Sequence, residues 1–257
     1  MDIIQSLQNP HYKLASKLAT HRRDRLKQGL MVLDGAHLIE AALDAGWQMQ
    51  QLLVTVTALG DAECARLIER AAVKPLVIAD ALFQTLTELP SPTGLIALAA
   101  LPAAPVARQD GCVLALDGVQ DPGNVGSILR TASAAGVDQI WLSSACADVW
   151  SPKVLRAGMG AHFAIELIER ADLPGLLGHF DGPIAATLLD GAVDLYDADL
   201  RGNLAMVLGS EGQGVSAEVA KLASRRLKIP MAPGIESLNV GAAAAICLFE
   251  RVRQLRS

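Results

Sequence analysis

Between residues 112 and 208 the sequence alternates short, predominantly apolar runs with stretches of helical periodicity, and that alternation restricts the fold more than any other feature. The runs cover residues 112–116, 139–143, 164–167, 184–188 and 204–208. A strand with one wet face alternates apolar and polar residues, whereas a strand apolar nearly throughout needs cover on both faces. Helical patterns over residues 124–135 and 152–159 fall between the runs. The reading is a buried parallel sheet with helices packed on it. In such sheets ligands sit beyond the carboxyl ends of the strands.

The first hundred residues repeat the alternation on a smaller scale. A polar helix is expected over residues 11–28, a strand over 30–33 ending at Asp34-Gly35, and a helix over 36–45. Strands at 51–56, 75–78 and 94–100 follow, with helical stretches around 61–72 and 80–89. Residues 101–111 hold Pro102, Pro105 and three alanines, a composition suited to a semi-rigid linker. The chain therefore divides into a small α/β domain over 1–100, a linker over 101–111 and a larger α/β domain over 112–257. With 257 residues and 51% hydrophobic content, two modest cores are within reach.

Several function classes drop out. Cys64, Cys112, Cys146 and Cys247 form no CxxC pair and match no histidine spacing, so neither a metal site nor a disulfide framework is expected, and a reduced, cytoplasmic protein is the default. His37 and His162 lack ligand-like neighbours. The first ten residues lack a basic region followed by an apolar core, and no apolar run reaches about eighteen residues, so neither secretion nor a membrane span is expected. No GxxxxGK[ST] occurs, and residues 209–214 (GSEGQG) do not have the dinucleotide-binding spacing. The net charge of −5 argues against a uniformly basic nucleic-acid binder. Locally, Lys13, Lys17, Arg22, Arg23, Arg25 and Lys27 face only Asp24, a candidate phosphate-facing patch, and Lys221, Arg225, Arg226 and Lys228 form a second cluster.

Three glycine-marked stretches stand at strand ends: residues 116–130 (LDGVQDPGNVGSILR), 206–215 (MVLGSEGQGV) and 229–241 (IPMAPGIESLNVG). In the last, a strand is expected to stop at Pro230 and Ser237 to cap the final helix. Such a density of special residues suits a loop that grips a polar ligand through main-chain groups. Asn124, at the expected start of a helix, and Arg130 six residues on are open to two readings from spacing alone, as cap and surface charge or as ligand contacts.

In this order the three stretches resemble the signature motifs of the SpoU/TrmH branch of the SPOUT RNA ribose methyltransferases, over about residues 112–254. Residues 1–100 are similar to the small substrate-binding domain that often precedes that catalytic domain. The resemblance implies a parallel α/β domain with a deep C-terminal trefoil knot, which general folding rules disfavour, and a homodimer. It also implies S-adenosylmethionine as cofactor and a ribose 2′-hydroxyl in structured RNA as acceptor, ribosomal RNA ahead of transfer RNA because of the N-terminal domain. The alternatives are a transfer RNA ribose methyltransferase or a non-catalytic RNA-binding protein of the same fold. By resemblance, Asn124, Arg130, Glu211, Ser237 and Asn239 are catalytic-site residues, and Gly209, Ile229, Met231 and Leu238 hold the cofactor. A guanidinium stays charged in almost any setting, so Arg130 is expected to stabilise a developing alkoxide and a phosphate. The chain has Asp34-Gly35 where the family usually has Glu-Gly, and Gly158 where serine is frequent.

Overall fold

The computed structural model describes residues 2–188, 190–235 and 237–256. Glu236, inside the third motif, lies outside them. In chain order the first elements are β1 (Ile3–Ile4), α1 (Pro10–Thr20), α2 (Arg22–Gln28), β2 (Leu30–Asp34), α3 (Ala36–Asp44), β3 (Met49–Thr55), α4 (Ala62–Ala71), β4 (Leu76–Ile78), α5 (Asp80–Phe83) and β5 (Leu95–Ala100). They are followed by β6 (Cys112–Asp117), α6 (Pro122–Ala134), β7 (Gln139–Ser143), α7 (Pro152–Gly158), β8 (Glu166–Ala171), α8 (Leu173–Gly178) and β9 (Ile184–Thr187). The last are β10 (Val193–Asp194), β11 (Leu204–Gly209), α9 (Ala217–Ala220), β12 (Arg225–Lys228) and α10 (Val240–Leu255). No helix among the described residues is long and apolar enough to cross a membrane.

Two compact units result, one comprising Met1–Ala103 with Trp150–Phe163 and the other Ala104–Val149 with Ala164–Ser257. In the first, the sheet runs β1-β4-β3-β5-β2, with β5 antiparallel to both its neighbours. The later segment belongs to this unit through α7, where Arg156 reaches Asp34 at 3.5 Å and Glu88 at 2.8 Å. Trp47 adds ring contacts to Trp150 at 6.4 Å and to Phe163 at 5.1 Å between centroids.

The helix expected over residues 11–28 is two helices. His21 is extended (φ −118°, ψ 116°), and the Thr20 hydroxyl beside it bonds back to the Ser16 carbonyl, a local side-chain competitor to the helical ladder. The break turns Arg25 inward: it is buried and donates to the Leu18 carbonyl. The expected basic patch therefore loses Arg25, while Lys13, Lys17, Arg23 and Lys27 stay exposed. The helix expected over 80–89 ends at Phe83, because the Thr85 hydroxyl donates to the Leu82 carbonyl and meets the Tyr12 hydroxyl at 2.7 Å.

In the second unit the sheet runs β10-β12-β9-β11-β6-β7-β8 and every pairing is parallel. Its central strands β6 and β11 are buried at every position before the last residue, as their apolar composition requires. Each such leucine or valine contributes about 1.5–3 kcal/mol by leaving water. Gln139 is fully buried yet saturated: its Oε1 accepts from Arg108 N and Trp141 Nε1, and its Nε2 donates to Val106 O and Glu166 Oε2. These bonds strap residues 106 and 108 to β7, so that end of the proline-rich connection is held rather than free.

Candidate active site

The carboxyl ends of β9, β11 and β12 open onto a cavity of ≈ 470 Å³, within the range typical of small-molecule sites. Its apolar wall includes Leu208, Ile229, Met231 and Leu238, and its polar rim Asp190, Glu211, Arg226, Lys228 and Ser237. Arg226 donates through Nη1 to the Asp190 carbonyl at 3.1 Å, which fixes one side of the opening.

The floor is a tight loop. Ser210 N donates to Gly214 O at 3.1 Å and Gly214 N returns to Ser210 O at 3.0 Å, with Gln213 N donating to Ser210 Oγ at 3.1 Å. Gly214 adopts φ +67°, a left-handed value that favours glycine. The closure brings the chain back onto Gly209, where an added Cβ would overlap the Gly214 and Val215 backbone. Only a glycine fits there. Beyond the loop, Ser216 N donates to Asp117 Oδ2 at 2.8 Å, tying the end of β11 to the end of β6.

Helix α6 begins two residues earlier than expected. Asp121 is its N-cap, accepting from Asn124 N at 2.8 Å, and Pro122 occupies the first turn, where its missing N–H costs nothing. Asn124 thus lies inside the helix with its side chain free for other work. Helix α10 is capped by Asn239 rather than Ser237: Asn239 Oδ1 accepts from Gly241 N at 2.9 Å and Ala242 N at 3.2 Å. The preceding strand stops at Lys228, short of Pro230. Helices α6 and α10 pack closely, and a Cβ at Gly241 would lie 2.9 Å from Ser127 Oγ.

That packing joins three residues named from sequence. Asn239 Nδ2 donates to Asn124 Oδ1 at 2.9 Å, and Asn124 Nδ2 donates to Glu211 Oε1. Gly209, Glu211, Ile229, Met231, Ser237 and Leu238 all line the cavity, whereas Asn124 and Asn239 stand behind Glu211. Arg130 is exposed on α6 and makes no hydrogen bond or ion pair to the described residues. At about 100° per residue, six positions carry it roughly 120° around the helix from Asn124. Sequence reasoning did not single out Thr187, Leu188, Asp190, Ser210 or Gln213, which also line the cavity. Their position at the carboxyl ends of β9 and β11 was the available signal. Near the end of β6, Cys146 Sγ donates to the Leu116 carbonyl at 3.1 Å, and burial pushes its thiol above the ordinary value. Among the described residues no group of His, Cys, Asp and Glu has the arrangement of a metal site.

The profile of the SpoU rRNA Methylase family matches residues 111–249, and that of the MRM3-like substrate binding domain matches residues 9–97. The 23S rRNA (guanosine(2553)-2'-O)-methyltransferase RlmP of Bacillus subtilis is 30% identical over 97% of this chain and 98% of its own. Among solved structures, the AdoMet-bound rRNA methyltransferase of Sinorhizobium meliloti is 30% identical, with a TM-score of 0.86 over 100% of this chain and 99% of that one. The SpoU methyltransferase AviRb of Streptomyces viridochromogenes, in complex with AdoMet, superposes with a TM-score of 0.88 at 26% identity, over 97% and 99% of the two chains. A glycine-floored cavity at the strand ends, faced by all three motifs directly or through Asn124, and this full-length similarity have one explanation: the chain belongs to the SpoU methyltransferase family and carries an N-terminal substrate-binding domain.

Proposed function

We propose that the protein transfers the methyl group of S-adenosylmethionine to a ribose 2′-hydroxyl of structured RNA, ribosomal RNA ahead of transfer RNA. The observation that carries this reading is the cavity itself. Leu208, Ile229, Met231 and Leu238 offer an apolar slot for an adenine ring, and the 209–214 loop offers main-chain donors and acceptors beside it. Gly209 leaves no side chain in the way. The residues present thus fit the cofactor, which when bound supplies an electrophilic methyl group on a sulfonium.

The chain's own residues supply position and charge. Gly209, Ile229, Met231 and Leu238 hold the adenosine part. Ser237 and Glu211 stand at the cavity rim, where the acceptor ribose would enter. Arg130 is read as the group that stabilises the developing alkoxide and grips a flanking phosphate, consistent with an exposed guanidinium that has no internal partner among the described residues. The ribosomal preference rests on the relatives: RlmP, similar over both parts of the chain, is named for a 23S rRNA guanosine.

The same reading divides the chain into residues 1–100 for RNA capture, a 101–111 linker and 112–257 for methyl transfer, the last with a C-terminal trefoil knot. It also makes the protein a cytoplasmic homodimer. Free Cys64, Cys112, Cys146 and Cys247 suit a reducing compartment. Helix α10 presents Ala242 and Phe249 to solvent beside half-buried Ala245 and Ile246, an apolar face for a second copy. Mapping 2′-O-methyl sites across ribosomal and transfer RNA in cells with and without the gene tests the function. Loss of a single ribosomal site is expected. Loss of none, with no transfer of labelled methyl to total RNA by the purified protein, would overturn it.

A further inference from the structure

The bonds between Asn239, Asn124 and Glu211 have a fixed direction. An amide side chain has a donor end and an acceptor end, and only its partners decide which way it points. At Asn239 the choice is forced, because the Gly241 and Ala242 backbone N–H groups can only donate and Asn239 Oδ1 accepts from both. Its Nδ2 must then face Asn124, which therefore presents Oδ1. That leaves Asn124 Nδ2 facing Glu211, which must accept. Each amide is polarised by the one before it, starting from the exposed N–H groups at the start of α10.

We propose that Asn239 and Asn124 are positioning residues, forming a one-way hydrogen-bond chain from the start of α10 that holds Glu211 as an acceptor at the cavity wall. The proposal rests on the site reading given above and assigns roles within it. Glu211 is the member that lines the cavity. One of its oxygens is taken by Asn124, and the other has no partner among the described residues, leaving it to accept from a hydroxyl of the bound ligand. In this arrangement the position of an acceptor matters at residue 211, and Asn239 matters through Asn124 rather than by touching substrate.

A double-mutant cycle in the full chain tests this. Aspartate caps a helix as well as asparagine, so Asn239→Asp leaves α10 its start but removes the Nδ2 donor. Asn124 must then turn its Nδ2 toward residue 239 and its Oδ1 toward Glu211, setting two acceptors face to face. Glu211→Gln cures the conflict, since glutamine donates to Asn124 and still offers an acceptor to the ligand. The chain is then complete in reverse. We expect Asn239→Asp alone to lower the melting temperature by about 2–4 °C, the loss of roughly one hydrogen bond, and to slow single-turnover methyl transfer by about tenfold or more. Adding Glu211→Gln should regain at least half of the lost melting temperature and give a faster rate than Asn239→Asp alone. Additive melting losses would show that no chain exists. Coupled melting with a rate no better than that of Asn239→Asp would show that the charge of Glu211, not its position, is what counts, and would overturn the assignment. The melting cycle needs no RNA, so it decides the chain even if the parent protein fails to methylate RNA and the proposed function falls.

Discussion

Gly209→Ala isolates the cavity floor from the rest of the fold. The added Cβ meets Gly214 and Val215 backbone, which no rotamer change can move aside. The 210–214 loop must swing away, giving up the two Ser210–Gly214 backbone bonds and the Gln213 N to Ser210 Oγ bond. At about 0.7–1 kcal/mol each, the lower half of net hydrogen-bond values and suited to an exposed loop, three bonds amount to about 2–3 kcal/mol. For a chain of this size that is a fall in melting temperature of about 4–12 °C. Strand β11 is itself buried against β6 and β9, so secondary structure should survive. Affinity for S-adenosylhomocysteine should drop by about a hundredfold, because the displaced loop forms one wall of the cavity. Differential scanning fluorimetry and calorimetric titration measure the two effects. Gly212→Ala is the matched control for the melting curve, since a Cβ there meets no protein atom within 4 Å, and it should shift the melting temperature little. An unshifted melting curve and unchanged titration for Gly209→Ala would refute the steric reasoning.

Arg130→Ala should slow single-turnover methyl transfer by about a hundredfold or more while leaving cofactor affinity intact, and Arg130→Lys should restore little because lysine lacks the planar fork; equal losses in binding and rate would recast it as a binding residue. The basic face splits into two classes. Changing Lys17, Arg23 and Lys27 together should flatten the salt dependence of RNA binding by about two units, at roughly 0.7 per phosphate. Arg25→Ala should instead cost about 1–3 kcal/mol of stability in chemical denaturation. Burial, opposed by the Thr87 hydrogen bond and the Arg156 charge, holds the Asp34 carboxyl above its ordinary 3.8. The native state then binds more protons than the unfolded chain just above that value, so stability falls as pH rises through the window. Asp34→Asn should flatten that fall in denaturation curves taken across acidic pH.

The central strands were legible because burial on both faces writes itself into composition. Residues 112–116 and 204–208 read as strands from their side chains alone and stand as β6 and β11. Motif glycines were legible for a similar reason, as the loop closing on Gly209 leaves no room for another residue. Helix starts were less so. Asp121 and Asn239 cap where Asn124 and Ser237 were expected, because several polar residues compete at each start and the packing of α6 against α10 selects among them. Arg25 shows the same limit in electrostatics, since six basic residues in a row of helix look alike until one bend turns one of them inward.

By itself the sequence determined what depends on near neighbours and on the burial of whole segments: the parallel sheet and the glycine loops at its carboxyl edge. Gly209, Glu211, Ile229, Met231, Ser237 and Leu238 became site candidates only through the resemblance of those loops to the family's motifs. Tertiary structure decided what depends on meetings between distant segments. Asn124 reaches Glu211 across 87 positions and Asn239 across 115, and Trp150–Phe163 joins the N-terminal unit although it follows β7. Local propensity acts over a few residues, whereas such encounters are fixed only when the order of strands in the sheet brings their ends to the same edge.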